Sequence, residues 1–205
     1  MALIDSLIQN GWLKTPRITE AFKKIKRIDF LPEDIKDLAE LNEALPIGYG
    51  QTISQPLVVA FMIEQLEPKQ GDKILDIGFG SGWTSALLAE IVGEKGKIIA
   101  IEIIPGLMEF GKQNVIKYNF IEKGIAEFIC ADGSKGYKKE APFDKILVSA
   151  AAERCFPSWK EQLKIGGRIV TPIGSSIWIF IKKSETEFEE IEHPGFAFVP
   201  LIEKK

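Results

Sequence analysis

Histidine and cysteine are nearly missing from this chain, which holds one His and two Cys in 205 residues. Cys130 and Cys155 show neither a CxxC pair nor any other metal-ligand spacing, and His193 stands alone. A His/Cys zinc site is therefore excluded, no metal is expected, and the cysteines read as reduced core thiols. Long apolar runs are missing too. No stretch approaches the roughly 18 uninterrupted apolar residues of a membrane span, and no membrane partner is expected. The opening MALIDSLIQNGW has no basic region and carries Asp5 within its apolar part. It does not read as a signal peptide, and a cytoplasmic protein is expected. A basic excess is also lacking: the net charge is −3. That argues against a general nucleic-acid binder, which needs cations to neutralise phosphates.

One further absence poses the central question. The segment PIGYGQTISQP, residues 46–56, contains no Asp, Glu, Lys, Arg, His or Cys. If this turn-rich loop is catalytic, its chemistry must run on hydroxyls with no base beside them.

The first 40 residues are helical in pattern. Leu3, Ile4, Leu7 and Ile8 share one helical face, and Ile18, Ala21, Phe22 and Ile25 follow Thr15-Pro16 at the 3.6 period. From Pro56 the chain alternates helix and strand. A helix to Leu66 carries a Val59, Met62, Ile63, Leu66 stripe. The strands KILDIG (73–78), KIIAIE (97–102), AEFICAD (126–132) and FDKILVSA (143–150) are separated by helices at about 81–92 and 105–118. Short apolar strands between helices predict a doubly wound, mostly parallel α/β sheet covered on both faces. After Gly166-Gly167, RIVTPIG, SIWIFIKK and FEEIE follow at turn-length gaps, which predicts antiparallel strands closing the sheet edge. A single domain over 1–205 is expected, and a monomer. Within it, 1–55 supplies helices and the uncharged loop, and 56–205 the sheet and C-terminal strands.

The turn LDIGFGSGW joins the first parallel strand to its helix. Gly78, Gly80 and Gly82 let a ligand approach backbone at the carboxyl end of the strand, where such sheets bind ligands. A dinucleotide fingerprint wants a small residue at its third position, and here that position is Trp83. Trp83 reads as packing under the loop. Asp76, just before the turn, would oppose a pyrophosphate and favour a cationic group. Glu102 ends the second strand, where a carboxylate can accept from both ribose hydroxyls. Asp132 ends the third, placed to meet an adenine edge. Three acids at three successive strand ends describe a nucleoside pocket without a phosphate site. S-adenosylmethionine has that charge pattern, ahead of NAD or a mononucleotide.

At this point the chain resembles the protein-L-isoaspartate O-methyltransferases. The resemblance is carried by LPIGYGQTISQP (45–56), LDIGFGSGW (75–83), ADGSKGY with EAPFD (131–137 and 140–144), VSAAAE (148–153) and QLKIGGRIVTPIG (162–174). HPGFAFVPL (193–201) resembles the family's closing strand. The resemblance implies a seven-stranded Rossmann-like methyltransferase sheet with rearranged final strands. It implies methyl transfer from S-adenosylmethionine to the free carboxylate of L-isoaspartyl residues in damaged proteins. It matches Ser54 to the catalytic serine, with Gln51, Thr52 and Ile53 along the cofactor. Together with Asp76, Gly78, Gly80, Ser81, Gly82, Glu102, Asp132 and Gly133, these three complete the expected cofactor-binding set. The pattern departs in DLAELNEALPIG, where Glu40 and Asn42 stand in place of the family's usual Tyr and Asp. Two other readings stay open: methylation of a different peptide carboxylate, and a catalytically silent cofactor-binding homologue.

The uncharged loop suits this chemistry. A carboxylate with a pKa near 4 is already ionised at neutral pH and needs no base. A sulfonium leaves as a neutral thioether and needs no acid. What remains is alignment and exclusion of water. His193 is read as a surface residue in a turn before the last strand.

Overall fold

The computed structural model describes residues 3–204, so Met1, Ala2 and Lys205, the ends of the expected 1–205 domain, lie outside the described residues. Two short helices open the chain, α1 (Leu3–Gln9) and α2 (Pro16–Lys24). Proline occupies the first turn of α2, and the Glu64 carboxylate satisfies the entry. It accepts from the Lys14 and Thr15 amides at 2.8 and 2.9 Å and from the Thr15 hydroxyl at 2.7 Å. Ile18, Ala21 and Phe22 form the buried face that the period predicts. Two 3₁₀ turns follow, Arg27–Phe30 and Glu33–Leu38.

The segment expected as an irregular loop is an antiparallel hairpin of β1 (Leu45–Gly48) and β2 (Gln51–Ile53). Gly48, Tyr49 and Gly50 all take positive φ at its tip. Alternation hides this in the sequence: Leu45, Ile47 and Ile53 point inward, but glycine and proline between them read as turn.

Then come α3 (Pro56–Leu66), β3 (Lys73–Ile77), α4 (Trp83–Val92), β4 (Lys97–Glu102), α5 (Pro105–Ile116), β5 (Ala126–Cys130) and β6 (Phe143–Val148). The chain ends with α6 (Pro157–Gln162), β7 (Leu163–Ile173), β8 (Ser176–Lys182) and β9 (Phe188–Pro194). The sheet order is β5-β4-β3-β6-β7-β8-β9, parallel up to β7 and antiparallel beyond it. This is the doubly wound, mostly parallel α/β sheet with antiparallel C-terminal strands that the alternation predicts. Successive residues of β3 and β4 feed two separate cores. Ile74, Ile98 and Ala100 join the cluster under α2 to α5, while Leu75, Ile77, Ile99 and Ile101 join the cluster against α6. Burial on both faces explains why these strands read as continuous apolar runs.

Four details differ from expectation. Cys130, expected as a core thiol, is exposed, and Cys155 is only partly buried. β7 begins at Leu163, ahead of the glycines, with a register irregularity against β6 where the glycine pair passes. His193 lies inside β9, paired with Ile177, instead of in a turn. Its ring stands edge-on to Phe61 at 5.0 Å. The closing strand is 188–194, and residues 195–201 run on as non-strand chain with one bridge, Pro200 to Ala151. Among the described residues no helix is long and apolar enough to cross a membrane.

Candidate active site

The parallel strands all end on one side of the sheet, and their chain reversals open a cleft there. Gly78, Gly80, Glu102, Gly133, Gln51 and Thr52 line it. Glu102 is 6% exposed and holds the cleft floor together. One oxygen accepts from the Ile103 and Ile104 amides at 2.8 and 3.0 Å, and the other from the Gly80 amide at 3.1 Å. The carboxylate thus ties the glycine turn to the end of β4 while still facing the cleft. Gly82 needs its lack of a side chain twice over. Its φ is +85°, and a Cβ there would sit 2.6 Å from the Gly111 carbonyl oxygen on α5. Ser81 is buried and gives its carbonyl to Asn114 at 3.0 Å.

The other two acids are placed differently from the pocket drawn from the sequence. Asp76 is fully buried beneath the turn and is not among the residues lining the cleft. One of its oxygens accepts from Ser85 at 2.6 Å and Thr84 at 3.0 Å on the first turn of α4. The other oxygen has no partner. Burial pushes its carboxyl up to about 6, opposed by the two hydroxyl bonds. Asp132 caps a 3₁₀ turn at residues 133–135. One oxygen accepts from the Ser134 amide and hydroxyl at 3.0 and 2.7 Å, and the other from the Lys204 amide at 3.1 Å. Burial works to raise its pKa, but these bonds outweigh it and hold the group below the usual carboxylate range. Its neighbours Ala131 and Gly133 face the cleft instead. The fully buried Trp159 fixes that turn by donating to the Gly133 carbonyl at 2.8 Å.

The hairpin roofs the other side. Thr52 touches three cavities: the cleft, a smaller one against the glycine turn, and an outer one of about 390 Å³. Ser54, half-buried just after β2, lines the last two. The outer cavity is completed by Val58, Gln55 and residues 195–199, and no residue lining either cavity is ionisable. Ile53 is buried and lines only the smaller cavity. Asn42, at the departure from the family pattern, accepts from the Leu57 amide at 3.0 Å and so caps α3 behind Ser54. Glu40 accepts from the Leu3 amide. His193 lines neither cavity.

Sequence reasoning missed the apolar walls of the cleft, Ile103, Ile104 and Leu107, and the chain end Val199–Ile202. It also missed Tyr49, whose phenol lies over Gly106 at the start of α5. The walls follow directly on the Glu102 strand end and were there to be read; the chain end has no local signal.

The cleft suits a nucleoside carrying no phosphate. It offers a carboxylate, three side-chain-free approaches at Gly78, Gly80 and Gly133, apolar walls, and neither Lys nor Arg among its lining residues. A cleft of this kind at the switch of a doubly wound sheet fits S-adenosylmethionine, and the matches to known proteins place the chain among the methyltransferases that use it. The family described as protein-L-isoaspartate(D-aspartate) O-methyltransferase matches residues 1–205. Two relatives bear the same activity in their names. One from Methanopyrus kandleri is 42% identical over 98% of this chain and 89% of its own. One from Archaeoglobus fulgidus is 45% identical over 90% and 84%. A solved structure described as such an enzyme from Plasmodium falciparum, in complex with S-adenosyl-L-homocysteine, shares the fold. Its TM-score is 0.89 at 20% identity, over 98% of this chain and 97% of that one. The chain belongs to the protein-L-isoaspartate(D-aspartate) O-methyltransferase family.

Proposed function

We propose that this chain methylates the free carboxylate of L-isoaspartyl residues in damaged proteins and peptides, with Ser54 as the residue that holds that carboxylate. The observation behind this reading is the position of Ser54, between the cavity against the glycine turn and the outer cavity, with no ionisable residue lining either. S-adenosylmethionine, when bound, supplies a methyl group on a sulfonium that departs as a neutral thioether. Glu102 would receive the ribose hydroxyls, Gly78, Gly80 and Gly133 would give backbone approach, and Ile103, Ile104 and Leu107 would flank the base. Gln51 and Thr52 would close over the cofactor, with Ile53 packed beneath. Asp76 acts from below, setting Thr84 and Ser85 at the start of α4, and Ser81 and Gly82 seat the turn on α5. Asp132 shapes the turn that presents Ala131 and Gly133.

The Ser54 hydroxyl donates to one carboxylate oxygen and leaves the other free to attack. A cation in its place would bind the ionised carboxylate most strongly before reaction, where the charge is greatest, and slow a step that dissipates charge. The hairpin and the 195–199 segment exclude water, and orientation is what the site contributes. We read the whole chain, 1–205, as one catalytic unit, monomeric and cytoplasmic; sedimentation velocity checks the monomer. Labelled methyl transfer to an isoaspartyl peptide and its aspartyl twin tests the function. Transfer to the isoaspartyl peptide alone is expected, and equal transfer to both would assign the enzyme to another carboxylate.

A further inference from the structure

Arg27 opens the first 3₁₀ turn and is 6% exposed. Its four hydrogen bonds all go to backbone carbonyls. Nη1 donates to Ala39 at 3.2 Å and Leu41 at 2.8 Å, and Nη2 to Glu43 at 2.7 Å and Ser54 at 3.3 Å. The guanidinium stands over the Trp83 ring, 5.6 Å from its centre, and Trp83 begins the helix that follows the glycine turn. Nε has no partner. Burial lowers the pKa to about 10, with Glu40 pulling the other way, so the group stays charged at neutral pH. A buried cation is costly unless something offsets its lost water. Here the offset is a ring of carbonyl dipoles and an aromatic face. Those carbonyls come from the two strands of chain that flank the hairpin, 39–43 before β1 and Ser54 after β2.

We propose that Arg27 is a positioning residue for the reaction: it clasps both roots of the β1–β2 hairpin and so fixes where the Ser54 hydroxyl stands. The clasp rests on the reading of Ser54 given above. Arg27 lines a separate cavity with Ala39, Glu40 and Trp83, and neither the cleft nor the two cavities at Ser54, so it stands apart from the reacting groups. It acts through the Ser54 main chain. Only a planar fork with donors on both Nη atoms reaches carbonyls on two sides at once; a lysine ammonium keeps the charge but offers its donors from one point.

The test compares Arg27→Lys, Arg27→Ala and Ser54→Ala in the full chain. It reads kcat and KM on an isoaspartyl peptide and S-adenosylhomocysteine affinity by calorimetry. Arg27→Lys should lower kcat by about 10-fold or more, as expected for a displaced reacting group, and leave the S-adenosylhomocysteine affinity within about threefold. Millimolar guanidinium should restore part of the turnover of Arg27→Ala and none of that of Ser54→Ala. Guanidinium that merely repaired the fold would restore S-adenosylhomocysteine affinity and turnover together, so the rescue expected here is of turnover with that affinity unchanged. Wild-type kcat in Arg27→Lys, or loss of S-adenosylhomocysteine affinity in step with turnover, overturns the proposal. So does an Arg27→Ala protein that binds S-adenosylhomocysteine but does not respond to guanidinium. If Arg27→Ala does not fold, the split between kcat and affinity in Arg27→Lys decides. Wild-type turnover in Ser54→Ala would instead overturn the reading of Ser54, whatever the Arg27 variants do.

Discussion

Replacing Ser54 by alanine removes one oxygen from a place where two cavities meet, neither of them lined by an ionisable residue. The backbone of residue 54 stays tied to Arg27 through its carbonyl, so the hairpin should keep its path. Ser54 does not line the main cleft, and S-adenosylhomocysteine affinity should barely change. What is lost is one hydrogen bond to a carboxylate, worth about 1.5–3 kcal/mol, which corresponds to a roughly 10- to 150-fold slower methyl transfer. A larger loss would require a proton-transfer role that the surroundings do not supply. Single-turnover rates across pH separate the two. Both wild type and Ser54→Ala should give flat profiles above about pH 6, because the reacting carboxylate is ionised and nothing has to deprotonate. A sigmoid with its midpoint near 7 in the wild type, absent in the variant, would refute the argument and put a base in the site.

Glu102→Ala should weaken S-adenosylmethionine binding by about 1.5–3 kcal/mol through the lost ribose bonds. It should also lower the melting temperature of the free protein, since three backbone amides lose their acceptor. Unchanged affinity by calorimetry would confine Glu102 to tying the loop. Asp76 carries a stability that depends on pH. Its folded pKa is raised to about 6, so the contribution is complete below the unfolded value and lost as pH rises through 6. Asp76→Asn should therefore gain on the wild type as pH climbs from about 4 to 7, by up to roughly 3 kcal/mol in the cofactor-free protein. Calorimetric unfolding with a constant gap across that range would show the carboxyl ionising normally. Gly82→Ala should cost at least about 2 kcal/mol, from a positive φ combined with a Cβ driven into the Gly111 carbonyl. A melting temperature equal to wild type would mean that α5 yields freely.

The sheet was legible because its cause is local. Ile74 to Ile77 and Ile98 to Ile101 are apolar at every step except Asp76, and such runs between helices form parallel strands buried on both faces. The carboxyl-end geometry then follows from topology, so Glu102 and the glycine turn could be placed at a ligand cleft before any coordinates. Ser54 could be singled out because its segment combines turn-formers with hydroxyls and lacks charge. Side-chain direction was not legible at the strand ends. Asp76 turns inward to the helix that follows, and Asp132 is occupied by Ser134 and by Lys204, 72 residues away. Nor was the hairpin, whose glycines and prolines read as loop. Its pairing, Leu45 to Ile53, Pro46 to Thr52 and Gly48 to Gln51, is made in backbone bonds. The clasp at Arg27 was the least visible feature of all. Its acceptors are the carbonyls of Ala39, Leu41, Glu43 and Ser54, and every residue carries a carbonyl, whatever its side chain. A sequence records which groups are special; only the folded chain decides which of the ordinary ones a buried charge will gather.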